Sequence, residues 1–471
     1  MSDSIACDAG STKLPSPVFS GFGRLRTALL GFALGLGPAC GEPPAASGPP
    51  PDVVLIVIDT LRADHLQPYG YERATSPVLQ SLAERGVVYE KHMASAGQTV
   101  PSTLTLLTSL HPAEHGFRHR HKGFFSRNRP VYPPELEFLS EVFQQAGYAT
   151  AGFVGNPFLQ ADNGFDQGFD RFLYSKGKGE TLTAAALDWL DERAAAPDDQ
   201  PFFLYMHYFD VHTPYRPPGM FKDLFPRPEE GRIIERNGVF PGATDVDVAA
   251  TTALYDGGIA YVDAEIGRLL EWLDERGLGS STVVAVTSDH GEEFMDHGGF
   301  GHGTSVYGEL VRVPLVLAGP GVGAAGQRGA AGQRVGAERQ GGAEQRVEAL
   351  THHLDLGPTL LALAGVEQPL SYRGAPMADD VSAAFAENGP WTAVFANGRK
   401  LIVDERTGDA QLFSLDDLLD ATPLEDSHAE ARLRKRLAWY RGLELVSDVP
   451  LTDDGWSPEE RARLEALGYT K

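Results

Sequence analysis

Cysteine is nearly absent: the 471 residues contain two, Cys7 and Cys40. Both lie within the first 40 residues, so the main body has neither a disulfide framework nor a cysteine-ligated zinc centre available to it. Long apolar runs are missing too, and no stretch approaches the roughly 20 apolar residues of a membrane-spanning helix. The third shortage is positive charge. Forty Lys and Arg stand against 64 Asp and Glu, a net charge of −24 with a pI near 4.9. Such a surface argues against nucleic acid or an anionic membrane as a partner. A small anionic ester or glycan substrate stays open, because one bound metal ion reverses the field locally. Apolar residues make up 42% of the chain, enough for a large core.

What is present at the start is a leader pattern. Arg24 and Arg26 precede a short apolar run from Ala28 to Leu36, which ends in Gly-Pro-Ala-Cys40. The layout matches a signal peptide, with basic, apolar and small-residue regions in order. Leu36-Gly-Pro-Ala-Cys40 is close to a bacterial lipoprotein box, its leucine displaced by one place. Residues 1–40 are expected to be a signal peptide or lipoprotein leader, with Cys40 the candidate lipid anchor. An exported protein of the bacterial envelope, periplasm or exterior follows. Residues 41–51, rich in Pro, Ala and Gly, read as a linker.

From residue 52 the patterning alternates. Val53-Val-Leu-Ile-Val-Ile58 is a continuous β-branched run ending at Asp59, as a strand buried on both faces would be. Leu136, Leu139, Val142, Phe143 and Ala146 mark a helix stopped by Gly147. Strands are expected at 150–154, 202–206 and 282–287, and a long amphipathic helix from Ile259 to Leu273 closed by Gly277. Alternating strands and helices predict an α/β fold with a large, mostly parallel sheet flanked by helices. Residues 321–346, with GAAGQR twice in tandem, read as a low-complexity surface insertion into a catalytic domain of residues 52–389. Residues 390–471 read as a small C-terminal α+β subdomain, whose last helix opens at Ser457-Pro-Glu-Glu with an N-cap serine.

Ligands of open parallel sheets bind beyond the carboxyl ends of the strands. Two strands here end in acids, Asp59 and Asp289, the latter followed by His290. Two carboxylates and an imidazole at one edge suit a divalent cation. Taken singly, each is equally well a turn cap or a polar loop residue. In GQTVPSTLTLLTSLHP at 97–112, Pro101 suits the first helical position, which puts Thr99 at a helix entrance where an anion is favoured. A threonine hydroxyl is a poor nucleophile unless a metal lowers its pKa. Without a metal, Thr99 is an ordinary capping residue.

These pieces occur in order: DTLRADH at 59–65, TVPSTLTLLTSLHP at 99–112, HYFDVHTPY at 207–215, SDHGEEF at 288–294, HGTSVYGELVRVPLV at 302–316 and HLDLGPTLLALAGV at 353–366. Together they resemble the sulfatase family of the alkaline phosphatase superfamily, over nearly all of 52–471 outside the glycine-rich insertion. The resemblance implies an alkaline-phosphatase-like sandwich and an ester hydrolase. It implies that Asp59, Asp289 and His290 bind a divalent cation, with Thr99 at the nucleophile position. His212 matches a histidine that contacts the substrate anion or leaving group, and His302 falls where many sulfatases carry a sulfate-binding lysine. His297, Arg62 and Asn156 are weaker candidates for substrate contact, with a surface role open for each.

The departures carry chemical weight. Sulfatases have Cys or Ser in a C/S-x-P-x-R motif and oxidise it to formylglycine; here Thr99 and Thr103 stand at those places. Threonine cannot yield that aldehyde. The paired aspartates that open the usual metal site are reduced to Asp59-Thr60, which disfavours calcium relative to zinc or manganese. One or two ions of Zn, Mn, Mg or Ca are allowed, with Asp210, His212, His297 and His302 as the pool for a second. The expected activity is metal-dependent ester hydrolysis through Thr99, on phosphate mono- or diesters before sulfate esters. Competing expectations are a sulfuric ester hydrolase without formylglycine, an envelope phosphoalkyl transferase, and a non-catalytic anion- or glycan-binding descendant.

Overall fold

The computed structural model describes residues 49–118, 129–196, 199–235, 237–238, 240–323, 327–328, 334–335, 345–377, 381–447, 451–452 and 456–466. The expected leader with Cys40, most of the linker, residues 119–122 of the basic run Arg118–Lys122 and most of the insertion lie outside the described residues. No helix among the described residues is long and apolar enough to cross a membrane.

A nine-stranded sheet organises the main body. Its strands are β1 (Asp52–Ile58), β2 (Val87–Met93), β3 (Ala149–Val154), β4 (Arg171–Tyr174), β5 (Phe202–Tyr208), β6 (Thr282–Thr287), β7 (Arg312–Val313), β8 (Leu315–Ala318) and β9 (Gln345–His352). β1 lies between β5 and β6, parallel to both, and β3 and β4 extend the parallel set beyond β5. On the other side β8 runs antiparallel to β6 and to β2, while β9 lies parallel along β2. The fold is α/β with a mostly parallel sheet.

The β-branched run of β1 explains its central place. Val54, Ile56 and Ile58 point into one apolar layer, and Val53, Leu55 and Val57 into the other. All six are at most 2% exposed. Each such side chain contributes about 1.5–3 kcal/mol of burial, so a polar residue on either face would be costly. Helices α1 (Thr99–Thr108), α2 (Leu139–Gln145), α3 (Gly179–Ala194), α4 (Asp245–Glu275) and α5 (His353–Ala364) cover the faces. α3 and α4 pack on the Val54 side, whereas α1, α2 and α5 pack on the Val53 side.

Several boundaries differ from the sequence reading. α4 starts at a Thr244 cap, where Asp247 closes a capping box, so its first turns belong to a stretch expected to be loop. α2 begins at Leu139 rather than near Glu135, although Gly147 ends it as expected with φ +89°. β9 begins at Gln345, inside the insertion as first drawn; its polar alternation hides it because only its second half is buried. Two short stretches of the insertion, Gln327–Arg328 and Arg334–Val335, pair antiparallel.

The C-terminal part is an antiparallel meander of β10 (Ala384–Asn388), β11 (Trp391–Ala396), β12 (Arg399–Asp404) and β13 (Ala410–Ser414). Its first strand starts six residues before the expected boundary at 390. α6 (Ser427–Arg441) covers one face through Ala429, Leu433, Leu437 and Tyr440. The other face joins Met93, Val306 and Leu310 of the body. At its edge, Glu387 donates its amide to the Ser95 carbonyl (3.0 Å), four residues before Thr99.

Candidate active site

The carboxyl ends of β1, β2, β3, β5, β6 and β9 lie on one edge of the sheet and deliver Asp59, the Ala94–Thr99 segment, Asn156, His207 (within β5), the Ser288–His290 segment and His353. The turn after β1 is tightly held. Thr60 adopts φ +60°, a strained conformation for a β-branched residue. Its amide donates to Asp289 Oδ1 (3.2 Å), its hydroxyl to the Asp59 carbonyl (2.7 Å), and its carbonyl accepts from the Tyr255 hydroxyl (2.8 Å).

Asp59 and Asp289 are both 0% exposed. Asp59 Oδ2 accepts from Asn156 Nδ2 (2.6 Å) and lies 3.3 Å from His207 Nε2. Asp289 Oδ1 accepts from the amides of Thr60 and His290. The second oxygens, Asp59 Oδ1 and Asp289 Oδ2, have no hydrogen-bond partner among the described residues. His290 Nδ1 is 2.9 Å from the Gly291 carbonyl, which only accepts, so Nδ1 carries the proton and Nε2 presents a lone pair. That lone pair lies 3.8 Å from Asp59 Oδ1, 3.6 Å from Asp289 Oδ2 and 3.4 Å from Thr99 Oγ1.

Donors held at about 2.0–2.2 Å around one tetrahedral ion stand about 3.3–3.6 Å apart, close to these spacings. Two buried carboxylates with nothing between them would cost several kcal/mol each. The residues therefore fit a divalent cation. Among the described residues, one group of three or more His, Cys, Asp or Glu side chains comes within metal-binding reach: Asp59, His207 and Asp289, whose donor atoms lie within 4.8 Å of one another. The protein's own charges show the strain of the arrangement. Burial and the field of Asp59 push the Asp289 carboxyl up to about 6. Burial opposes the charge of Asp59 as well, but the His207 hydrogen bond and the nearby imidazoles outweigh it and hold its pKa low. Burial disfavours a charged His290, and the two carboxylates more than offset that, raising its pKa.

Thr99 is the first residue of α1, with Gln98 as N-cap. The helix thus starts two residues earlier than the proline suggested, and Pro101 occupies the third position, still within the turn whose amides have no helical acceptor. Thr99 Oγ1 lies 3.4 Å from His290 Nε2 and accepts from Asn156 Nδ2 (3.4 Å). Ser102 ties the same turn to the Ser288–His290 segment by donating to the Asp289 carbonyl (2.5 Å). Thr103, at the place of the family's arginine, is wholly buried.

Two further imidazoles reach this space. His302 lies with its ring 4.7 Å from that of His290 and 4.8 Å from that of His212. His302 Nδ1 is 2.9 Å from Glu292 Oε1, and burial pushes the Glu292 carboxyl up to about 7. His212 stacks on Phe209 at 4.3 Å, and burial holds it neutral, its pKa pushed down to about 4.

The weaker candidates separate clearly. Asn156 lies beside the two carboxylates, but its Nδ2 is directed at Asp59 and Thr99 and its Oδ1 accepts from the Phe158 amide. Arg62 does not offer itself to an anion: its five N–H donors go to Asp64, Asp296 and the Glu292 carbonyl. His297 is also engaged elsewhere, with Nδ1 2.9 Å from Glu309 Oε1, Nε2 3.3 Å from the Asp420 carbonyl and its ring stacked on Tyr307 at 3.6 Å. Asp210 stands 3.7 Å from Lys178 Nζ and outside the metal-binding group. Sequence reasoning missed His207 and Glu292. His207 sits at the end of an apolar strand, where an alternating polar residue is the available signal; Glu292 lies two residues beyond His290.

Residues 51–366 match the family model described as Sulfatase. The chain is 26% identical over 484 aligned positions to an arylsulfatase of Clostridium perfringens (strain 13 / Type A), covering 86% of this chain and 96% of that protein. Among solved structures it is similar to the phosphonate monoester hydrolase of Agrobacterium radiobacter, with TM-score 0.61, 20% identity and coverage of 83% of this chain and 94% of that one. It is likewise similar to a protein solved in complex with its substrate D-glucosamine-2-N,6-O-disulfate, with TM-score 0.62, 19% identity and coverage of 83% and 97%. At these identities the two solved structures speak for the shared fold.

Proposed function

From the premise that this chain belongs to the sulfatase family of ester hydrolases, we propose that it is an exported, metal-dependent hydrolase that uses Thr99 as nucleophile and favours phosphate over sulfate esters. The observation that carries this reading is the position of Thr99 Oγ1, 3.4 Å from the inward lone pair of His290 at the edge of a space bounded by two unpaired carboxylate oxygens. Asp59, Asp289, His290 and Thr99 would hold the ion, with zinc or manganese preferred over calcium because an imidazole replaces an oxygen donor. When bound, a divalent ion lowers the pKa of the hydroxyl and withdraws charge from the ester oxygens.

Thr99 Oγ forms a bond to phosphorus as the bond to the leaving oxygen breaks. The first-turn amides of α1 stabilise the covalent phosphoryl group. An imidazole facing the same space, His212 or His302, is assigned to take the Thr99 hydroxyl proton and pass it to the leaving alcohol. Water then attacks phosphorus, giving one proton to that imidazole, and the P–Oγ bond breaks as the imidazole returns the proton to the threonine oxygen. Phosphate is preferred because a threonine ester must be cleaved by direct attack, whereas a formylglycine hydrate expels sulfate by elimination. The similarity to a phosphonate monoester hydrolase supports this preference. The similarity to a protein bound to a disulfated sugar favours a second reading, hydrolysis of a sulfated glycan without formylglycine.

Intact-protein mass spectrometry after brief reaction with an aryl phosphate diester tests the proposal. A phosphoryl adduct on Thr99, absent in Thr99→Ala together with at least about 10³-fold of the activity, is expected. Turnover of aryl sulfate alone, in a panel with phosphate mono- and diesters, would overturn the phosphate preference.

A further inference from the structure

His207 offers an atom to the same space as the proposed metal ligands, and proton accounting decides what it does there. Its two nitrogens have one partner each: Nδ1 lies 2.9 Å from the Tyr205 hydroxyl and Nε2 lies 3.3 Å from Asp59 Oδ2. Tyr205 and His207 are both 0% exposed, and the Tyr205 hydroxyl has no other hydrogen bond among the described residues. With the proton on Nδ1, the tyrosine proton would be buried without an acceptor, and the Nε2 lone pair would face a carboxylate oxygen. With the proton on Nε2, the tyrosine donates to Nδ1 and the ring donates to Asp59. Every group is then satisfied.

The orientation of Asn156 closes the other half of the account. Its Oδ1 accepts from the Phe158 amide (2.8 Å), which fixes the side-chain flip and aims Nδ2 at Asp59 Oδ2 (2.6 Å). Asp59 Oδ2 therefore receives two donors and Oδ1 none. We infer that His207 is not a metal ligand but a positioning residue: the Tyr205–His207 pair, with Asn156, occupies Asp59 Oδ2 and presents Oδ1 alone to the cation. The ion would then be held through one imidazole, that of His290, as partners behind a ligating carboxylate commonly arrange. This inference rests on the metal site proposed above.

X-ray absorption of the zinc-loaded full chain counts imidazoles directly. One imidazole per zinc is expected, and the count falls to none in His290→Gln. Zinc affinity by chelator competition supplies the second readout. His207→Ala is expected to weaken binding about 10–100-fold. His207→Gln restores most of that affinity, because its amide mimics the Nε2 donor, and Tyr205→Phe falls between the two. Two imidazoles in the unaltered protein, falling to one in His207→Gln, would overturn the assignment. Failure of the unaltered chain to bind zinc, manganese, magnesium or calcium would instead remove the metal site itself, and this assignment with it.

Discussion

Two groups of buried histidines sit within this fold, and they differ in what faces them. At the edge of the sheet, His207, His212, His290 and His302 gather around Asp59, Asp289 and Glu292. Behind α1, His92, His111, His115, His352 and His353 are buried as well, but their partners are mostly neutral. His115 donates to the Pro101 carbonyl and accepts from the Phe117 amide, both at 3.2 Å. His352 donates to the Phe385 carbonyl (2.8 Å). His353 reaches Ser102 (3.2 Å), which already donates to Asp289, so the imidazole is the donor. Burial pushes His92, His115 and His352 down to about 3 and His111 to about 4, whereas the carboxylates around His290 raise it. A crowd of histidines is thus no sign of a metal. The sign is two carboxylate oxygens, those of Asp59 and Asp289, with no donor left to either among the described residues and one imidazole lone pair within 3.8 Å of both.

The largest test of this contrast is charge removal at the front. Asp289→Asn should leave purified protein with less than about a tenth of the metal of the unaltered chain, and activity should fall with it. Added zinc at about 100 times its Kd should stabilise the unaltered chain by about 2.7 kcal/mol and the variant hardly at all, as melting curves would report. Equal metal content in both would mean that the front cluster resembles the rear one.

The rear cluster has a signature in pH. Its folded pKa values lie below the unfolded value near 6.5, so the unfolded chain binds more protons between about 3 and 6.5. The stability these neutral rings contribute is present above 6.5 and is lost as pH falls. Buried carboxyls with raised pKa, such as Asp263 and Asp355 at about 7, act in the opposite sense. A difference measurement removes them. The stability of the unaltered chain relative to His92→Gln should decline by about 1 kcal/mol per pH unit below 6.5 in urea titrations. A flat difference would show that His92 is charged in the folded protein.

The smallest effect belongs to His297, which bridges the body to the C-terminal meander through Glu309 and the Asp420 carbonyl. His297→Gln should lower Tm by about 1–3 °C while kcat and metal content stay within about twofold. A large loss of activity would return His297 to the candidates for substrate contact.

The contrast also explains what the sequence could disclose. β1, β5 and β6 were legible because strands buried on both faces must be continuously apolar, and the acids that follow β1 and β6 mark the ligand edge. Asp59, Asp289 and His290 stood out for the same reason, and Thr99 because Pro101 marks a helix entrance. β9 was hidden by its half-exposed alternation, and the start of α4 by polar residues around its cap. Arg62 and His297 were placed near substrate by proximity in sequence, yet their donors are spent on partners as distant as Asp296 and Asp420. Such pairings are decided by tertiary contacts across many residues, and nothing local announces them.

The left-handed backbone at Thr60 reaches further than one turn. There the Thr60 hydroxyl turns back onto the carbonyl of Asp59 and the amide donates to Asp289, so Thr60 serves the loop through its backbone and offers its hydroxyl to no cation. An aspartate installed there would lose the hydroxyl bond to the Asp59 carbonyl and add a third buried negative charge to the turn. The preference of this centre against calcium is therefore tied to main-chain shape at residue 60 as well as to side-chain identity.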